Sequence, residues 1–404
     1  MPIRLHVQNE QQVVVPLRFD RAVTGRPSLT APWIDDRGWR VARPSGFNQT
    51  EARGPLFGVM VGDTVRIKVV REDLDETAPL FAVAGQSAEP QIEVTEPAGG
   101  GPLPSNGIVK VKAIASTSSG QTLEIRLGSA TGPVLAEAEP HVFERLTVNL
   151  TPHIVTIHQA ASGGSGFAPI TETELREVVK TAQAIWRPAG VHLNAGATRT
   201  HVINGAIRDD YALVTTNPAT VGGMAHIYNQ GRVANTINVY FVAFVHDSLG
   251  YGFRKETASA MTNNLTGIIL ATVGRVTVNT GPPVTFDEAA REENGADLIH
   301  VLGSDLAHEV GHLLTLSHAN LVNGVGRRDT YDRRQLMHPQ PYLPHTSEHA
   351  NIRLNDVGAG TVQNDGHRRG VRGALITLKD LGQHSTDGEV KAARDRIGHA
   401  NLYA

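Results

Sequence analysis

The chain has 404 residues, 40% apolar and 19% charged, with 41 Gly, 22 Pro and no Cys. This composition excludes a disordered or fibrous protein, and the missing thiols exclude a disulfide framework, a thiolate zinc site and a nucleophilic cysteine. Lys plus Arg (37) nearly balance Asp plus Glu (40), so a net charge of −3 supplies no overall attraction to nucleic acid or an anionic membrane.

Over the first 150 residues the dominant pattern is alternation of period two, the mark of half-buried strands. Val65, Ile67 and Val69 alternate with Arg66 and Lys68. Val109 and Val111 alternate with Lys110 and Lys112, and Leu123, Ile125 and Leu127 with Glu124 and Arg126. Turn-rich pieces at 97–107 and 116–120 separate these runs. The spacing predicts an all-β, Ig-like β-sandwich region over residues 1–148, as one or two modules. It holds no chemical constellation, and a scaffold, targeting or partner-binding role is expected of it.

Near residue 150 the pattern turns to mixed helix and strand. Residues 154–157 read as a strand. Thr171 with Glu174 three residues on is a helix start, followed by Leu175, Val178, Val179, Ala182, Ile185 and Trp186 at helical spacing, and Pro188 and Gly190 close the run. Strands are predicted at 191–193, at 236–245 with both faces buried, and at 267–273 nearer an edge. A helix over 297–314, an irregular stretch to about 365 and a helix over 387–397 complete the chain. The longest strongly apolar stretch, 239–245, is far shorter than the roughly 20 residues that cross a bilayer, so no membrane span is expected. The amino terminus lacks a basic start followed by an apolar run, so a cleavable signal peptide is not expected either.

The helix over 297–314 carries His308-Glu309-Val310-Gly311-His312, with a third histidine, His318, six residues further on. Four helical residues bring His308 and His312 to within about 40° of each other, so two imidazoles reach one ion. Ile299, Leu302, Leu306, Val310, Leu313 and Leu314 fill the opposite arc and turn the histidines toward a cleft. Glu309 lies at the edge of the ligand face, where its carboxylate meets water rather than the ion. His318 joins only if the helix breaks after about Leu314 and the chain turns back. Three neutral imidazoles then leave a fourth position for water, which is the ligand set of a catalytic Zn2+ site.

This stretch resembles the metzincin clan of zinc metallopeptidases, whose motif is HExxHxxGxxH followed by a methionine-containing turn. Gln335-Leu336-Met337-His338-Pro339 looks like that turn, with Met337 as its methionine. The upstream order of strand, long helix, strands and active-site helix is similar as well. The resemblance implies an α/β metzincin-like catalytic domain over residues 149–404, one catalytic Zn2+ on His308, His312 and His318, and Glu309 as general base. It further implies an extended protein or peptide substrate paired with an edge strand, which is matched to Gly267, Ile268, Ile269 and Leu270, and a specificity wall over 338–349.

The match departs from the clan where Thr315 stands in place of Gly, a β-branched residue poorly suited to a left-handed turn. Asp329, Asp332 and Glu348 are the fallback ligands. Ala319 replaces the Asp of the snake-venom and disintegrin type, and Pro339 stands where some subfamilies carry a Tyr ligand. The expected function is zinc-dependent endopeptidase action, through a zinc-bound water activated by Glu309. The alternatives are a non-catalytic binding or assembly protein with a structural zinc, or a zinc hydrolase of a non-peptide amide. The clan's extracellular habit implies export by a signal-independent route, with a delivery apparatus as one partner of residues 1–148; otherwise the protein is cytoplasmic. Those residues read equally as an inhibitory pro-segment.

Overall fold

The structure is a computed structural model that describes residues 3–8, 14–19, 34–35, 56–71, 78–117, 121–159, 170–205, 213–214, 224–246, 250–253, 266–276, 284–285, 298–316, 362–364, 367–369 and 389–403. The described residues are mostly β-sheet with few helices, and the expected all-β amino-terminal region is present. One sheet runs β2 (Val14–Phe19), β1 (Ile3–Gln8), β5 (Thr64–Arg71), β8 (Ile108–Ala113), β7 (Ile92–Glu96), antiparallel throughout. The other runs β3 (Ile34–Asp35), β4 (Leu56–Met60), β10 (Val134–Phe143), β9 (Leu123–Leu127), β6 (Leu80–Ala84), with β4 and β10 as its parallel pair. The alternating apolar residues are buried: Ile67, Val69, Val109 and Val111 in the first sheet, Val59, Ala82, Leu123 and Ile125 in the second.

A third sheet begins at β11 (Leu146–Gln159). Along one side of β11, β12 (Val191–Ala195) and then β13 (Arg199–Gly205) pair in succession, both parallel. On its other side follow β15 (Ile237–His246), β17 (Gly267–Val276) and β16 (Gly250–Phe253), the last antiparallel. Short strands β14 (Leu213–Val214) and β18 (Val284–Thr285) pair with the ends of β15 and β17, and β19 (Val362–Asn364) pairs with β20 (His367–Arg369) in a ribbon.

The position of β17 corrects one expectation. Gly267, Ile268, Ile269 and Leu270 do not lie at an edge: they pair with β15 on one side and β16 on the other, and the three apolar side chains are fully buried. An unbroken apolar run belongs to a strand covered on both faces and both sides. The outer strand of the described sheet is the short Gly-Tyr-Gly-Phe segment of β16, whose composition carries little strand signal.

Four α-helices are described: α1 (Glu172–Trp186), α2 (Met224–Tyr228), α3 (Leu298–Leu313) and α4 (Glu389–Ile397). The Thr171 hydroxyl accepts the Glu174 N–H while the Glu174 carboxylate accepts the Thr171 N–H, closing a capping box at α1. Helix α3 crosses α1 and lies against β16 and β17. At the crossing a side chain on Gly303 would come within 2.4 Å of the Thr181 Cβ, so the missing methyl sets the helix separation. The Trp186 indole N–H donates to the Ala307 carbonyl at 3.1 Å and fixes how α3 is rolled.

The junction between the amino-terminal sheets and the third sheet is polar and aromatic. The Arg187 guanidinium, at the end of α1, donates twice to the Asp63 carboxylate, at 2.5 and 2.8 Å. From α4, Arg394 lies 4.9 Å over the Phe143 ring and donates to the carbonyls of Ala189 and Gly190. The Asn149 N–H donates to the Tyr403 hydroxyl at 3.2 Å, so the last described segment packs back on the start of β11.

Candidate active site

Helix α3 presents its predicted faces. Leu302, Leu306, Val310, Leu313 and Leu314 are buried, whereas His308 and His312 are only partly covered. Their rings meet edge to face with centroids 4.7 Å apart, as i and i+4 neighbours on one side of a helix do. The Nδ1–H of His312 donates to the Leu316 carbonyl at 2.9 Å. A carbonyl only accepts, so this bond assigns the proton to Nδ1 and leaves Nε2 with its lone pair. That is the ring orientation and tautomer a metal-binding imidazole needs from its surroundings.

The Leu316 carbonyl is in place because of how α3 ends. Thr315 adopts φ 74°, the Leu316 N–H reaches back to the Gly311 carbonyl, and the Thr315 N–H reaches the His312 carbonyl. These two bonds form a Schellman motif with Thr315 at the left-handed position that glycine usually occupies. The helix thus breaks at Thr315, and a β-branched residue carries the strain. His318, Met337, Asp329, Asp332, Glu348 and the segment 338–349 lie outside the described residues. Among the described residues no third His, Asp or Glu joins His308 and His312 in a metal-holding group.

Glu309 is 7% exposed and sits beneath β16. A side chain on Gly250 would stand 3.2 Å from its Oε1, and one on Gly252 would stand 2.9 Å from its Oε2 and 2.8 Å from its backbone carbonyl. The two glycines let the strand close over the carboxylate. Burial, and secondarily the charge of Asp305, push the Glu309 carboxyl up to about 8, while the hydrogen bond donated by the Gly252 N–H opposes them. Sequence reasoning missed these glycines; their spacing of two in a short strand was the available signal.

A second polar cluster lies behind the sheet. Tyr228, fully buried at the end of α2, directs its hydroxyl to the carbonyls of Gly267 (3.1 Å) and Tyr251 (3.3 Å), and its own carbonyl accepts from the Tyr240 hydroxyl at 3.0 Å. Burial pushes the Tyr228 hydroxyl well above its usual range, which keeps it a donor. His153, also fully buried, stacks on Tyr240 with centroids 4.4 Å apart. Its Nε2 lies 3.0 Å from the Asn238 Oδ1, an atom that also accepts from the Val233 N–H, so His153 carries its proton on Nε2. Its Nδ1 therefore accepts from the Nε2–H of His201 at 2.9 Å. His153 is satisfied at both ring nitrogens within the cluster, and burial lowers it to about 4.

No protein-family model matches the chain, and a search of curated proteins returns no match.

Proposed function

We propose that the chain is a zinc-dependent metalloendopeptidase of metzincin type, with residues 149–404 as its α/β catalytic domain and residues 1–148 as an appended Ig-like β-sandwich. One observation carries the reading: two adjoining imidazoles, one with its Nδ1–H anchored by the Leu316 carbonyl, share a helix with a buried carboxylate held under glycines of the outermost described strand. The donor chemistry fits zinc, since neutral imidazole nitrogen is among its preferred ligands and the anchored tautomer is the ligating one.

His308, His312 and His318 would hold the ion, and Met337 would lie in the turn beneath it. When bound, zinc supplies the positive charge that acidifies water and polarises a scissile carbonyl. Glu309 accepts the proton of the attacking water and delivers it to the leaving amine, from a carboxylate held by the Gly252 N–H. Gly252 orients that carboxylate through its N–H. An extended peptide would pair with the outer edge of β16, giving affinity through the backbone with little sequence choice.

Cleavage of a diverse peptide library by the zinc-loaded protein beside its Glu309→Ala variant tests this. Cleavage by the wild type alone supports the reading. Equal cleavage by both, or none by either with stoichiometric zinc bound, overturns it; hydrolysis of small acylated amines without cleavage of peptides would instead mark a non-peptide amidase.

A further inference from the structure

The geometry points to Tyr228 as a positioning residue: we propose that its hydroxyl sets the orientation of the Tyr251–Gly252 peptide, and through that peptide the orientation of the Glu309 carboxylate. The inference rests on the peptidase reading for its catalytic consequence, but its structural content stands by itself.

Tyr251 contributes its carbonyl and Gly252 its N–H to one planar trans peptide, so the two groups point in opposite directions and turn together. The Tyr228 hydroxyl holds the carbonyl end at 3.3 Å, and the Glu309 carboxylate accepts from the N–H end. Tyr228 itself has little freedom. The same hydroxyl reaches the Gly267 carbonyl at 3.1 Å, on the neighbouring strand, and the Tyr240 hydroxyl donates to the Tyr228 carbonyl at 3.0 Å. The ring is fully buried, and a side chain on Gly267 would come within 2.8 Å of its Cε1. The fit of ring to strand therefore leaves no room for a Cβ at that position.

Strand β16 needs such a support. It is four residues long, two of them glycine, and among the described residues it pairs with β17 on one side. Short glycine-rich outer strands are the least protected parts of a sheet. A hydroxyl shared between carbonyls of β16 and β17 fastens the strand at the peptide that meets Glu309. Polarising the Tyr251 carbonyl also strengthens the N–H at the other end of the same peptide as a donor.

The test is Tyr228→Phe in the full chain, which keeps the ring and removes the hydroxyl, with Tyr240→Phe as a second variant acting one bond further away. Amide exchange at Gly252 is expected to speed up about tenfold in Tyr228→Phe and less in Tyr240→Phe, with the α3 amides unchanged. Peptide cleavage is expected to lose about tenfold in kcat with KM within about twofold, because base orientation rather than substrate binding is disturbed. A purely structural role would instead lower thermal stability and raise α3 exchange, with kcat per folded molecule unchanged, and would overturn the proposal. Unchanged exchange at Gly252 would overturn it as well. If the wild-type protein cleaves no peptide, the peptidase reading falls separately, and Gly252 exchange alone decides whether Tyr228 grips this peptide.

Discussion

His312 and Leu316 are joined by an N–H···O bond of 2.9 Å that exists only because α3 ends between them. In a continuing helix the Leu316 carbonyl would point along the axis, away from the i−4 ring. The left-handed Thr315 turns the chain so that this carbonyl faces the imidazole, and one helix end thereby sets a tautomer.

Thr315 holds that turn at a cost, because a β-branched side chain in the left-handed region crowds its own backbone. Thr315→Gly is expected to raise stability by about 1 kcal/mol. Chemical denaturation of the metal-free protein measures it, and a midpoint at or below that of the wild type would show that Thr315 is not strained there.

On the proposed function, Glu309→Gln removes the base while leaving both imidazoles in place. Turnover should drop by roughly 100- to 10,000-fold with zinc stoichiometry retained. Metal analysis alongside single-turnover cleavage distinguishes this from His312→Ala, which should lose zinc and turnover together.

Gly252→Ala places a methyl 2.9 Å from the Glu309 Oε2, 2.8 Å from its backbone carbonyl and 2.9 Å from the Leu313 Cδ1. Strand and helix must separate, at about 1–3 kcal/mol. Turnover is expected to fall further than stability does, since the carboxylate moves with the helix; a variant with wild-type kcat would show that the close approach has no catalytic role.

His153 supplies a pH dependence. Its folded-state value of about 4 lies below the usual 6.5, so the unfolded chain takes up this proton first as pH falls. Its contribution is complete above pH 6.5 and is lost between 6.5 and 4, by at most roughly 3–4 kcal/mol. Melting temperature followed from pH 7 to 4 should decline, and His153→Phe should flatten the part of the slope that this residue causes.

Asp63 and Arg187 join the amino-terminal sheets to the end of α1, the helix that supports α3. Asp63→Ala leaves a part-buried guanidinium without its carboxylate and is expected to cost about 1–2 kcal/mol. Proteolysis near the junction should become faster in the variant while cleavage by intact molecules is unchanged.

Much of this protein could be read from the chain itself, where short-range physics decides. The alternation around Ile67, Val109 and Leu123 marks strands because side chains change face at every residue, and Thr171 with Glu174 marks a helix start because a capping box is closed within four residues. The spacing of His308, Glu309 and His312 places two imidazoles on one side of α3 by helix geometry alone.

Strand order was beyond that reach. Period and composition say whether a strand is buried but not what it pairs with, so residues 267–273 read as lying near an edge although β16 covers that strand. The glycines at 250 and 252 have no local signature of function; their meaning arises only when α3 comes within a methyl's breadth of them. Thr315 shows the same division, since propensity argues against a left-handed threonine. The tertiary structure imposes it, because packing Leu313, Leu314 and Leu316 into the core outweighs about 1–2 kcal/mol of local strain.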